Sequence, residues 1–172
     1  MNMLPQKQGL YDPSFEKDAC GVGLLANIRG IKSHQLVEQG LQVLENMVHR
    51  GAEGADPKTG DGAGIMVQIP HEFILLQGIA VPEKGRYGSG LVFLPKNEES
   101  QQMFLDIIES EATDLGLSML PVRDVPTNNE QFGPVAEAAE PAIKQIFVAD
   151  LKTTEPLDPK LYVLRKRAEK KI

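Results

Sequence analysis

Residues 19–28 read Ala19-Cys20-Gly21-Val22-Gly23-Leu24-Leu25-Ala26-Asn27-Ile28, a small, apolar run with the chain's single cysteine near its head. An uncharged run of this length and composition predicts a buried strand. Its two glycines carry no Cβ and leave room for another backbone or a ligand to approach closely. Ahead of it, residues 1–19 hold Pro5, Gly9, Pro13 and mixed charge with no helical or strand period, so they read as an extended leader. That leader lacks the apolar stretch of a secretory signal.

Downstream, Arg29-Gly30 marks a turn. Ser33 is placed to cap a helix on which Leu36, Val37, Gly40, Leu41, Leu44, Met47 and Val48 recur at helical spacing. The helix is expected to end at His49-Arg50-Gly51, with Gly51 in the C′ position. From Gly51 to Gly64 the chain is rich in glycine and aspartate, a loop too long for a compact domain to keep without purpose. Ile65–Ile69 reads as a short strand, His71–Gln77 as a brief helix or turn, and Tyr87–Pro95 as a strand. Asn97 caps a second long helix, with Glu98 and Glu99 favourably placed in its first turn and Met103, Phe104, Ile107 and Ile108 as its expected buried stripe. Leu117–Val125 and Lys144–Asp150 are further strand candidates, separated by the linker-like Pro126–Pro141 with short helical turns. A last helix is expected from Asp158 as N-cap and Pro159 at N1, still helical at Ile172. Helices and strands are interspersed, which predicts an α+β fold in layers.

With 172 residues, 41% of them hydrophobic and 24% charged, the chain has the size of one globular domain and is too apolar to be disordered. A net charge of −6 gives no general attraction to phosphate backbones or anionic membranes, and no segment is long and apolar enough to span one. Three Tyr, six Phe and no Trp leave little aromatic surface for stacking bases, so neither nucleic acid nor membrane is an expected partner. One cysteine excludes an internal disulfide, a zinc ribbon and a cysteine-ligated iron–sulfur cluster within these residues. A reducing cytoplasm is the default compartment.

The nucleotide and metal readings fail on spacing. Gly60-Asp61-Gly62-Ala63-Gly64 lies before a strand, whereas a dinucleotide fingerprint follows one and opens a helix, and no Gly-Lys-Ser/Thr phosphate loop is present. His34, His49 and His71 have no ligand spacing. The basic cluster Arg165-Lys166-Arg167 with Lys170-Lys171 reads as the solvated face of a helix that buries Leu161, Leu164 and Ala168.

Cys20 therefore has three readings: buried apolar filler, incidental thiol, or nucleophile. Its place where a featureless leader meets the first apolar run is where a processed N-terminus would be made. At such a terminus the cysteine gains a built-in base, because an α-amine with a pKa of roughly 7.7–8.0 is partly neutral and can take the thiol proton. While residues 1–19 stay attached, that nitrogen is an amide and cannot act, so the leader doubles as an off-switch. Arg50 follows the first helix and opens the Gly/Asp loop, a fixed cation beside a flexible wall and the natural second candidate; its other reading is an arginine satisfying the last carbonyls of a helix.

Two blocks carry a family resemblance. Tyr11-Asp12-Pro13-Ser14-Phe15-Glu16-Lys17-Asp18-Ala19-Cys20-Gly21-Val22-Gly23 resembles the start of glutamate synthase large subunits around their processed cysteine. Val48-His49-Arg50-Gly51-Ala52-Glu53-Gly54-Ala55-Asp56 with Thr59-Gly60-Asp61-Gly62-Ala63-Gly64-Ile65 resembles the next hallmark of the same family. Looser pieces follow in order: Val122–Pro126, Glu140-Pro141 with Gln145–Val148, and Leu161–Arg167. The resemblance implies a class II glutamine amidotransferase (glutaminase) of the N-terminal-nucleophile (Ntn) hydrolase type, a four-layer αββα sandwich, here incomplete. Residues 1–19 would be the propeptide and 20–172 the first part of the amidotransferase domain. Cys20 would attack the side-chain amide of L-glutamine, releasing ammonia, and Arg50 would line the glutamine pocket. In the full-length family enzyme, an oxidoreductase of nitrogen assimilation, the ammonia passes to a region that uses FMN, an iron–sulfur cluster and 2-oxoglutarate. Its partners would be the rest of the large subunit and an electron-donating small subunit.

The chain departs from the family pattern in one respect. The family takes its oxyanion donors from an Asn-Gly pair, and no asparagine here is followed by glycine. The residues that grip the α-groups of glutamine would also lie beyond Ile172. The expectation is a portion of the domain with weak activity and marginal folding on its own. The alternatives are a stand-alone amidotransferase-like protein supplying ammonia in trans, and a non-catalytic regulatory portion of the fold.

Overall fold

The computed structural model describes residues 7–9, 21–48, 58–60, 62–153 and 155–172. The chain divides into two compact units, Met1–Met66 and Val67–Ile172.

Among the described residues of the first unit, α1 (His34–Asn46) is the regular helix. Ser33 is extended and its hydroxyl accepts the Leu36 amide at 3.3 Å, satisfying one of the orphan donors of the first turn. Leu36, Val37, Gly40, Val43, Leu44 and Met47 form its half-buried stripe; Val43 takes a place there, while Leu41 and Val48 are exposed. Met47 is the C-cap, earlier than the boundary expected at His49-Arg50-Gly51, and residues 49–57 lie outside the described part.

The buried strand expected over residues 19–28 does not form in its described part. Gly21–Asn27 forms no regular element and pairs with no strand among the described residues, and Val22 and Ile28 are 89% and 100% exposed. Residues 62–70 behave alike, so the strand expected at Ile65–Ile69 is absent. The physical reason is common to both. An apolar run becomes a buried strand only when a neighbouring edge satisfies its backbone and a second layer covers its side chains. Around Gly21–Asn27 the first unit offers one helix face.

The second unit supplies such an edge. Its sheet is antiparallel throughout, with β4 (Ala142–Ala149) at the centre. On one side lies β1 (Tyr87–Leu94), registered from Tyr87 opposite Ala149 to Leu94 opposite Ala142. On the other side lie β2 (Ser118–Met119) and β3 (Arg123–Asp124), pairing with Val148–Ala149 and Lys144–Gln145. The single strand expected over Leu117–Val125 is thus two short ones, because Pro121 cannot donate to a ladder.

Successive residues of β4 point to opposite faces, and each face has its own core. Val148 packs with Ala112 and Leu117 and with Leu157 and Leu164, under α3 (Glu98–Asp114) and α5 (Leu157–Ala168). Phe147 and Ala149 pack with Tyr87 and with Ile74 of α2 (His71–Leu76). Gly88 is required at the first of these faces: a Cβ there would collide with the Leu161 side chain of α5. The Asn97 carboxamide caps α3 by accepting the Ser100 amide at 2.9 Å. Gly116, with φ of +73°, closes the helix as its C′ residue while the Leu117 amide returns to the Ala112 carbonyl.

The stripe of α3 is rotated from the expected one. Leu105, Ile108 and Ala112 are buried, Phe104 and Ile107 are half-buried, and Met103 is exposed. The apolar residues on this helix span more than half a turn, and the sheet selects the part it covers. Residues 134–139 form α4 inside the stretch read as a linker. In α5, Pro156 rather than Asp158 occupies the N-cap position, and the helix ends at Ala168 rather than continuing to Ile172.

Candidate active site

Cys20 and Arg50 both lie outside the described residues, as does most of the leader. The described chain begins again one residue after Cys20 and continues to two residues before Arg50. These two flanks meet. A Cβ at Gly21 would lie 2.9 Å from Met47 Sδ, and a Cβ at Gly23 would lie 2.5 Å from Val43 Cγ1. Both distances are below contact, so the segment lies against the α1 stripe where a side chain at 21 or 23 would have to push Met47 or Val43 aside. The space that the sequence leaves open for a backbone or a ligand is filled by two helix side chains. Val43 was not among the residues the helical spacing singled out; Gly21-x-Gly23, with period two, is the signal that a surface lies close beneath.

Among the described residues, no group of three His, Cys, Asp or Glu side chains is arranged to hold a metal ion. Among them, no helix is long and apolar enough to cross a membrane.

The buried ionisable groups of the second unit are anchors rather than reagents. Asp150, 1% exposed, follows β4. Its Oδ1 accepts the amides of Lys152 (2.9 Å) and Thr153 (2.8 Å), and its Oδ2 accepts Thr153 Oγ1 and Lys160 Nζ, each at 2.6 Å. The Lys160 ammonium first, then the Thr153 and Lys152 donors, hold this carboxyl far below the usual carboxylate range. A general base for neutral pH needs the opposite tuning. Arg86 donates to the carbonyls of Asp150 and Thr153, tying the start of β1 to the same turn.

Glu111 of α3 is fully enclosed and ion-paired with Arg167, at 2.5 Å, and with Lys171. Contact with the Lys171 ammonium holds its carboxyl below the usual range against the opposing effect of burial. Two members of the basic cluster are thereby engaged inward, while Arg165 and Lys166 pair with Glu169. Elsewhere, His71 Nδ1 and the Tyr87 hydroxyl are 3.0 Å apart, and burial pushes the Tyr87 phenol up.

On the sheet face that carries Phe147, a polar row crosses three strands. Arg123 Nη1 donates to Gln145 Oε1, and Gln145 Nε2 donates to Ser89 Oγ, both at 2.9 Å. Beside it Leu91 and Phe93 share that face by register and remain 54% and 65% exposed.

Comparison with known proteins assigns the class. Residues 20–172 match the family model described as glutamine amidotransferases class-II, so the chain belongs to the class II glutamine amidotransferases. More particularly, it is similar to the glutamate synthase [NADPH] large chain of Bacillus subtilis, 43% identical over 98% of this chain and 11% of that protein. It is 42% identical to the glutamate synthase [NADH] of Saccharomyces cerevisiae over 99% of this chain and 9% of that protein. It is 37% identical to the ferredoxin-dependent glutamate synthase 1, chloroplastic/mitochondrial, of Arabidopsis thaliana over 98% of this chain and 11% of that protein. The chain spans about a tenth of the length of these relatives.

Proposed function

We propose that this chain carries the glutamine-hydrolysing nucleophile of a glutamate synthase, with Cys20 exposed by removal of residues 1–19. The observation that carries the reading is that the family match begins at residue 20, the position of the only cysteine. The flank after Cys20 and the flank before Arg50 also rest on each other, which supports a shared site for the two side chains.

The chemistry follows from the terminus. The free α-amine of Cys20 takes the thiol proton, and the thiolate attacks the side-chain amide carbon of L-glutamine. The tetrahedral intermediate expels its nitrogen, which takes the proton back from the α-ammonium and leaves as ammonia. A γ-glutamyl thioester remains, and water hydrolyses it to glutamate. Arg50 lines the glutamine pocket as a fixed cation. The four-layer αββα arrangement belongs to the same reading. α3 and α5 cover one face of the sheet; on the other, beyond the end where α2 packs, the exposed Leu91 and Phe93 suit a second sheet layer.

Within the full-length enzyme the ammonia goes to 2-oxoglutarate in a region using FMN and an iron–sulfur cluster. One cysteine cannot ligate such a cluster, so those groups would be held by the rest of the large subunit, with electrons from a small subunit or another carrier. The three relatives are named for three different electron donors. Their uniform match over nearly the whole chain favours this reading over a stand-alone amidotransferase or a regulatory portion. A reducing compartment such as the cytoplasm suits the thiolate. Intact-mass and N-terminal analysis of the purified chain tests the first step. A mature terminus at Cys20 is expected; a fully retained leader contradicts it.

A further inference from the structure

We propose that Val43 and Met47 of α1 are positioning residues for the Cys20 nucleophile, seating the chain that follows it through close contacts at Gly23 and Gly21. The inference rests on the amidotransferase reading of Cys20 and adds to it what holds the thiol in register. The two contacts differ in kind. Val43 is β-branched and stiff at χ1, so the Cγ1 atom 2.5 Å from a Cβ at position 23 cannot step aside cheaply. Met47 is unbranched and pliant, so the Sδ atom 2.9 Å from a Cβ at position 21 can.

Gly23 on Val43 is therefore the hard stop, and Gly21 on Met47 the soft one. Cys20 is covalently one residue from the soft contact and three from the hard one. A shift of the seat would be passed to the adjoining nucleophile, where a displacement of about 1 Å can cost on the order of a hundredfold in rate.

The test compares two labels on the full chain. A glutamine-like diazoketone reads the aligned nucleophile, and iodoacetamide reads only whether the thiol is accessible and ionised. Relative to iodoacetamide, Gly23→Ala is expected to lower diazoketone labelling of Cys20 by about tenfold or more, and Gly21→Ala by less. The double variant Gly23→Ala with Val43→Ala removes the colliding methyl and is expected to restore the ratio. Such rescue is not produced by a general loss of folding. An unchanged ratio in Gly23→Ala, or a loss that the double variant does not reverse, overturns the positioning role while leaving the nucleophile assignment standing. A diazoketone adduct at a residue other than Cys20 in the unsubstituted chain overturns both.

Discussion

Asp150 accepts four donors from three residues within a buried turn, and its ionised form is what the turn is built around. Its carboxyl is held below the ordinary unfolded value of about 3.9, so its stabilising contribution is complete above that pH and is lost as pH falls toward the folded value. Asp150→Asn is expected to be destabilised most at neutral pH, with the gap to the unsubstituted protein closing below about pH 4. Urea melts between pH 7 and pH 3 check this, and a gap that stays constant contradicts it. Lys160 titrates in the other direction. Its hydrogen bond to Asp150 raises its pKa, so its contribution holds through neutral pH and fades only in strong alkali.

At the scale of elements, β4 is the part on which both cores depend. Phe147 is fully buried, and Phe147→Ala is expected to cost about 3–5 kcal/mol in denaturant unfolding. Asn97→Ala, which removes the α3 cap, is expected to cost about 1 kcal/mol. Equal effects of the two would contradict this ranking. The long helices were legible in the sequence because they rest on neighbours within a turn: Ser33 and Asn97 cap as their spacing predicts, whereas the stripe of α1 takes Val43 in place of Leu41 and Val48, and α5 is capped at Pro156 rather than Asp158. Strands were legible only where a partner exists. Tyr87–Leu94 and Ala142–Ala149 find each other, whereas Gly21–Asn27 and Ile65–Ile69, equally apolar, pair with nothing described. The stripe of α3 was misjudged for a related reason, since its apolar arc is wider than the sheet it covers. Of the candidate site, Cys20 and Arg50 are proposed from their setting and the family resemblance, and both lie outside the described residues. The closeness of Val43 to Gly23 was not legible, because helical spacing does not say which glycine is pressed against a helix.

At the scale of the whole chain, the two units differ in how much they bury. The second holds two apolar cores, while α1 in the first has no fully buried residue. Amides of β1, β4 and α3 are expected to exchange with solvent more slowly than those of α1, as native-state hydrogen exchange would report. Uniform protection across both would contradict this. The nucleophile we propose lies in the first unit, where Gly21 and Gly23 lie close against Met47 and Val43 of α1. The most direct test is to treat the purified chain with a glutamine-like diazoketone and locate the adduct by peptide mass spectrometry. We expect a single adduct on Cys20, in molecules whose chain begins at that residue. An adduct elsewhere, or labelling of Cys20 with the leader still attached, would contradict the assignment.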